Sequence, residues 1–276
     1  MIELYLSYMK DMNQKLLDYL ENDKIEIHYQ NLIEFNRHYD IQNKPNDLKI
    51  FLHLLHKISK NHSRTQNFFE KIEKILIYYK NDIQKYFSNS EIFNIFNHNI
   101  RILLFLFKNQ FITFDEYILK SIHSEKYFSY FLPEINNFFQ NNENKCKKIL
   151  SEEEIGELKK KLPNKYEAKR KIGENDSYIC ELIRNDDVDE FISYVNKNLI
   201  PLNSIIEKSI FETNPMLIAN DNMTLIEYAA FFGSIQILRY LYLNEARIKS
   251  SLWFYSIHGN HPEIIDICEK NIKSQE

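Results

Sequence analysis

The chain has 276 residues, of which 44% are hydrophobic and 14% aromatic, and its formal net charge is −4. This apolar content excludes disorder over most of the length, and the slight acidity gives no electrostatic reason to expect a nucleic-acid partner. With only 4 glycines and 6 prolines, turns are scarce, so helices must fill most of the chain.

No targeting segment is recognisable in the sequence. Glu3, Lys10 and Asp11 interrupt the amino terminus, which therefore lacks the continuous apolar core of a signal peptide. The most apolar run, residues 102–107, is far shorter than the ~20 residues that a membrane helix needs. We therefore predict a cytoplasmic protein that has no membrane partner.

The first 80 residues predict consecutive amphipathic helices. One runs from Ile2 to Glu21, a second from Glu26 to His38, a third begins at Pro45, and a fourth covers Asn67 to Lys80. The apolar stripe of the first helix consists of Ile2, Leu6, Met9, Leu16 and Leu20.

Residues 88–122 alternate short helices with polar turns. Ser88–Glu91 and Thr113–Glu116 both have the capping-box pattern, in which a hydroxyl residue precedes a glutamate by three positions. An apolar helix lies between them, directly after Asn97 and Asn99. This alternation predicts an all-α fold of stacked antiparallel helical hairpins, a degenerate α-solenoid.

Composition divides the chain into three parts. Residues 1–140 form the amino-terminal helical region, residues 141–172 a charged linker or helix, and residues 173–276 a carboxy-terminal repeat region. Within the charged part, Ser151–Glu154 is another capping box and Pro163 ends the helix that it begins. We interpret the charges as a solvated linker; the alternative is a binding patch.

The clearest repeat lies at residues 221–243. Thr224 and Glu227 form a T-x-x-E capping box, and Ala229–Ala230 are small enough to let a second helix approach closely. Gly233 suits a helix end that needs a left-handed residue. Together these features predict a helix–turn–helix repeat.

The segments on either side of this repeat depart from a regular array. Residues 201–216 form an insertion where a tight turn is expected. A partial copy follows the repeat at an offset of 26 residues, set by Gly233 and Gly259. At that offset Ser250, Ser256 and Ile264 match Thr224, Ala230 and Leu238.

Three strings carry a family resemblance: Ser209–Pro215, Thr224–Leu241 and Ser251–Ile265. They resemble a family of degenerate ankyrin-repeat proteins, expanded in some unicellular eukaryotes, that carry a helical amino-terminal block of unknown function. The resemblance implies a helical chain that ends in ankyrin-like repeats and binds protein without catalysis. It names no partner, and the usual Thr-Pro-Leu-His tetrad is replaced by Thr-Leu-Ile-Glu at Thr224–Glu227.

Catalytic and cofactor motifs are absent from the sequence, so we predict no catalytic, metal or cofactor-binding residues. The four glycines are too far apart for any phosphate-binding loop. His53 and His56 could face one side of a helix as two metal ligands, but no third ligand is indicated, which favours surface histidines.

The cysteines and one acidic group have structural interpretations. Cys146, Cys180 and Cys268 are widely spaced, which favours reduced thiols, and the last two lie in apolar helix patterns typical of core residues. The acidic group Asp186–Glu190 lacks the glycine and spacing of a calcium loop, so we interpret it as helix capping.

We therefore predict a protein-interaction module that binds an unknown partner through the solenoid surface. Two alternatives stay open: a hydrolase with a site among the amino-terminal helices, and a purely structural helical spacer. Because little chain follows the last helix, we also expect an exposed apolar edge at Ile265 or Ile267 and weak self-association through it.

Overall fold

The computed structural model describes residues 2–22, 24–61, 67–124, 128–141, 156, 160, 162 and 164–273. Over these residues the regular structure is helical, with one isolated bridge and no strand, so the predicted all-α class is confirmed. The chain divides into two compact units, Met1–Tyr166 (unit 1) and Glu167–Glu276 (unit 2), and the division falls within the predicted linker 141–172. The predicted capping box Ser151–Glu154 and Cys146 lie outside the described residues.

Unit 1 contains nine of the α-helices described here and two short 3₁₀ turns, at Ile41–Asn43 and Phe128–Phe131. The helices are α1 (Ile2–Glu21), α2 (Ile25–His38), α3 (Pro45–Asn61), α4 (Phe68–Tyr78), α5 (Lys80–Tyr86), α6 (Asn89–Phe96), α7 (Ile100–Lys108), α8 (Glu116–Ser124) and α9 (Leu132–Asn141).

The predicted helices of unit 1 are present, with two corrections. Leu6, assigned to the apolar stripe of α1, is 61% exposed. Leu16 and Leu20 are buried as predicted, and Tyr8, Met12 and Tyr19 complete the core face. The predicted fourth helix is divided at Tyr79, whose fully buried hydroxyl accepts a hydrogen bond from Asn36 Nδ2 at 2.7 Å.

Buried polar side chains connect the helices of unit 1. Lys71 on α4 is 3% exposed, and its Nζ donates to the carbonyl oxygens of Leu20 and Asn22 at 3.0 and 2.9 Å, which satisfies free carbonyls at the end of α1. Asn99 caps α7 and donates from Nδ2 to Ser59 Oγ on α3 at 3.0 Å. The Lys71 bonds thus join α4 to α1, and the Asn99 bond joins the start of α7 to α3.

The predicted helix starts in unit 1 are half right. Ser88 N donates to Glu91 Oε2 at 3.0 Å and Ser88 Oγ accepts from Glu91 N at 3.3 Å, which confirms the first capping box. The second is wrong: Asp115, not Thr113, caps α8, because Asp115 Oδ1 accepts from Ile118 N at 2.8 Å. Thr113 N donates to Asn89 instead.

After α10 (Tyr166–Ile172), unit 2 consists mainly of three helical hairpins. Its helices are α11 (Tyr178–Asn185), α12 (Val188–Lys197), the short α13 (Pro215–Ala219), α14 (Leu225–Phe232), α15 (Ile235–Leu243), α16 (Ser251–Gly259) and α17 (Pro262–Lys273).

The three hairpins, α11–α12, α14–α15 and α16–α17, pack side by side in chain order. Their first helices contact one another in the order α11, α14, α16, and their second helices in the order α12, α15, α17. One apolar core runs through all three hairpins. Each hairpin therefore covers an apolar face that its neighbour leaves open.

The turns within the hairpins share one backbone geometry. The residue that ends each first helix is left-handed: Asp186 (φ 52°), Gly233 (φ 70°) and Asn260 (φ 47°). Gly233 and Asn260 are 27 residues apart, so the predicted offset of 26 is wrong. A Cβ at Gly259 would overlap the Ala230 carbonyl oxygen, so this glycine permits the close contact of α14 with α16.

The predicted caps of unit 2 are confirmed. Thr224 N donates to Glu227 Oε2 at 2.8 Å. Within the acidic group, Asp187 caps α12, since its Oδ1 accepts from Glu190 N at 3.2 Å. Asp186 accepts from two backbone amides at the start of α15, both at 3.0 Å, and so joins the first hairpin to the second.

The ends of two second helices and of α7 repeat a feature that the sequence analysis missed. At each end an asparagine donates from Nδ2 to the carbonyl oxygen four residues earlier. The residue after the asparagine has a left-handed backbone, and the following backbone amide donates to the carbonyl oxygen five residues before it. The asparagines are Asn109, Asn198 and Asn244, and the left-handed residues are Gln110, Leu199 and Glu245. Units 1 and 2 thus contain hairpins with the same ending.

Candidate partner-binding surface

Two exposed apolar side chains share one face of α16 in unit 2. Phe254 and Ile257 are 50% and 52% exposed, and their spacing of three residues places them on one face. The rings of Phe254 and His258 lie 5.3 Å apart, and Trp253 is half-buried against the core. An apolar face of this kind on a protein surface is typical of an interaction site.

The equivalent positions of the preceding hairpin, 27 residues earlier, are covered by a neighbouring helix. Phe254 and Ile257 stand 27 residues after Glu227 and Ala230 of α14. Glu227 accepts a hydrogen bond from Ser251 of α16 at 2.5 Å, and the Ala230 backbone lies against Gly259. On α14 these positions are therefore covered by the next helix, whereas on α16 they are apolar and open.

The first helices differ in what they expose. Every residue of α14 from Leu225 to Phe231 is buried, because α11, α15 and α16 contact it and Leu217 of α13 belongs to the same core. On α11, Tyr178 is 44% exposed, but its hydroxyl donates to Glu190 at 3.2 Å and its ring lies 5.0 Å from Tyr194. The face of α16 is thus the larger open apolar surface among the first helices.

Neither of the isoleucines expected to form an apolar edge on the last helix is exposed. Ile265 and Ile267 of α17 are both half-buried, and Ile267 packs against the core next to the buried Ile264 and Cys268. The prediction that either isoleucine is exposed is therefore wrong. The open apolar face lies on the other helix of the same hairpin.

A buried polar cluster occupies the opposite end of the hairpin row, around α11. Arg184 Nε pairs with Glu174 Oε2 at 2.8 Å, and its Nη1 donates to the Asn175 carbonyl at 2.8 Å and to Tyr228 Oη at 2.9 Å. Glu212, 8% exposed, is close enough to be affected by both charges. Sequence reasoning did not identify this cluster, because its members are far apart in the chain.

Burial controls the protonation of the cluster. It raises the pKa of Glu212 to about 7, although the backbone amides of Asn214 and Asn175 lower it. It also raises the pKa of Cys180 to about 11 and that of Tyr228 further, so both stay protonated near neutrality. The predicted core placement of Cys180 and Cys268 is confirmed, since both are buried free thiols.

The two histidines considered as metal ligands differ in their exposure. His53 is exposed, whereas His56 is mostly buried with its ring edge-on to Phe96, and burial lowers the pKa of His56 to about 4. In the portion of the chain that the structure describes, no group of three potential ligands could hold a metal ion. No helix among those residues is both long and apolar enough to cross a membrane.

Comparison of the chain with protein-family models, with curated proteins and with solved structures finds no match.

Proposed function

We propose that unit 2 is a degenerate ankyrin-repeat module of the cytoplasm that binds a protein partner through the open face of α16. The observation that carries this proposal is the pair Phe254 and Ile257, exposed at the positions that α14 uses to contact its neighbour. The resemblance of Thr224–Leu241 to an ankyrin repeat and the side-by-side hairpins support it. The buried free thiols fit a reducing compartment.

The partner element is an α-helix with an apolar face. The α14–α16 contact is the precedent, because there one first helix packs against the next. Ile257 is larger than Ala230, so the partner helix needs a small residue opposite it or a wider separation. The function proposed is binding, and no catalytic step is part of it.

Affinity purification with the full-length protein as bait, against a tag-only control, tests the proposal. A captured partner is then purified and its binding measured directly. Ile257→Lys should weaken that binding by at least tenfold, because it places a charge in the centre of an apolar contact. Leu243→Lys is the matched control, since Leu243 is 77% exposed on α15 and lies on a different helix.

The control variant should bind as the wild type does. Equal binding by the wild type and Ile257→Lys would move the site away from α16. Failure to capture any specific partner would favour the structural spacer, and turnover of a phosphoester, peptide or glycoside by the purified protein would favour the hydrolase.

A further inference from the structure

The inserted segment of unit 2 is held across a turn rather than projecting from the repeats. We call residues Glu207–Thr213 the strap and residues Gly173–Ser177 the turn beneath it. Four hydrogen bonds other than those of Glu212 connect them: Asn175 Nδ2 to Glu207 O at 2.7 Å, Ser209 Oγ to Asp176 Oδ1 at 2.6 Å, Thr213 N to Gly173 O at 3.1 Å and Thr213 Oγ1 to Gly173 O at 2.7 Å.

Glu212 lies at the centre of this contact. Its Oε2 accepts from Asn175 N at 3.2 Å, and its Oε1 accepts from Asn214 N at 2.8 Å. The facing cation, Arg184, is bonded to Glu174, to the Asn175 carbonyl and to Tyr228. A buried carboxylate without a directly paired cation is costly to ionise.

The groups that surround Glu212 belong to three elements. In the turn, Glu174 raises the pKa of Glu212, and Asp176 is paired with Lys169 of α10 at 2.6 Å. On α11, Arg184 lowers that pKa and Cys180 is a protonated thiol. On α14, Tyr228 is a protonated phenol. Burial exceeds all of these effects and gives a pKa of about 7.

We propose that the strap is a pH-operated clasp, closed over the turn when Glu212 carries a proton and loosened when that proton passes to water. The closed strap keeps Glu212 among Arg184 and Tyr228, and opening lets water reach the carboxylate. The clasp does not depend on whether α16 binds a partner. Opening breaks hydrogen bonds between the strap and the turn, and the only covalent bond that changes is the one to the proton.

The direction of the effect follows from the two pKa values. The folded pKa of Glu212, about 7, is above the ordinary value of 4.5. The free energy by which protonated Glu212 favours the closed strap is therefore fully present below pH 4.5 and is lost as the pH rises through about 7. Between about pH 5.5 and about pH 7.5 the equilibrium constant for opening should increase roughly twentyfold.

Hydrogen exchange with mass spectrometry on the full-length protein measures this opening. Exchange is followed in peptides that cover the strap and the turn between about pH 5.5 and about pH 8.5, after correction for the chemical exchange rate. Peptides of α15 serve as the internal reference. In the wild type, strap opening should increase with pH relative to α15.

Two variants isolate the carboxylate. Glu212→Gln should make strap opening independent of pH, because the amide does not titrate in this range. Glu174→Gln should give a smaller increase that levels off at a lower pH, because it removes the neighbouring negative charge. Glu181→Gln on α11 is the control, since Glu181 is exposed and should leave the wild-type behaviour unchanged.

A strap whose opening is independent of pH in the wild type overturns the proposal, and so does an unchanged pH dependence in Glu212→Gln. If Glu212→Gln leaves the strap open at every pH, the Glu174→Gln variant is the deciding test. A smaller pH dependence of strap opening in Glu174→Gln than in the wild type supports the clasp, and an unchanged pH dependence overturns it.

Discussion

The hairpins α14–α15 and α16–α17 have the same backbone plan and different surfaces. Both first helices end at a left-handed residue, and Ile237 and Ile264, 27 residues apart, are both fully buried. Their first helices nevertheless differ, since α14 is buried from Leu225 to Phe231 while α16 exposes Phe254 and Ile257. The two hairpins thus share their internal packing and differ on the face of the first helix that α14 uses to contact the next hairpin.

The contact between the two hairpins should be the most sensitive to substitution. Gly259→Val adds a side chain against the Ala230 carbonyl oxygen, a backbone atom that cannot move aside. We expect the free energy of unfolding to fall by about 3 kcal/mol or more. Urea denaturation followed by circular dichroism measures this, and a loss below about 1 kcal/mol would mean that α14 and α16 are further apart than described.

The turn residues allow the two hairpins to be compared directly. Gly233→Val should cost about 2–3 kcal/mol, because a β-branched residue is strongly disfavoured at φ 70°. Asn260→Gly should leave the stability unchanged or raise it by up to about 1 kcal/mol, because glycine adopts the left-handed backbone of Asn260 more readily than asparagine does. Equal losses in both variants would contradict a shared turn geometry.

The helix ends should contribute less. Asn244→Ala removes the bond to the Tyr240 carbonyl at 2.8 Å and should cost about 0.5–1 kcal/mol. Asn198→Ala removes the equivalent bond to Tyr194 at 2.8 Å and should cost the same. Thermal unfolding of both variants checks the pair, and a loss in only one of them would show that the two ends are not equivalent.

The smallest effect on stability is expected on the open face. Ile257→Lys should change the free energy of unfolding by less than about 0.5 kcal/mol, because Ile257 is half exposed and lysine extends into water. Ala230→Lys, at the equivalent position of α14, should prevent folding of the hairpin. A destabilised Ile257→Lys would indicate that α16 is covered within the protein itself.

Local features could be predicted from the sequence where they depend on neighbours a few residues apart. The capping boxes at Ser88 and Thr224 are confirmed for this reason, since each is completed within four residues. The predicted cap at Thr113 is wrong because Asp115, two residues later, caps the same helix. Both residue types suit the cap position, and Asn89 of α6 bonds to both of them, so the sequence alone does not decide between them.

Features that depend on distant contacts could not be predicted. Gly259 and Asn260 can each adopt a left-handed conformation, and it is the approach of α14 that leaves the glycine within the helix. The course of residues 201–216 depends on bonds to Gly173 and Asn175, about 30 to 40 residues earlier. The repeated asparagines, by contrast, could have been found, since Asn198 and Asn244 each follow a tyrosine by four residues.

Lys71 gives the protein a chemical reporter for unit 1. Its amine is buried and bonded to two carbonyl oxygens, so an acylating reagent in water can reach it only after the end of α1 separates from α4. The thiols of Cys180 and Cys268 are enclosed in unit 2 in the same way and react with alkylating reagents. Amine and thiol labelling, resolved by peptide, can therefore time the opening of each unit separately in one sample.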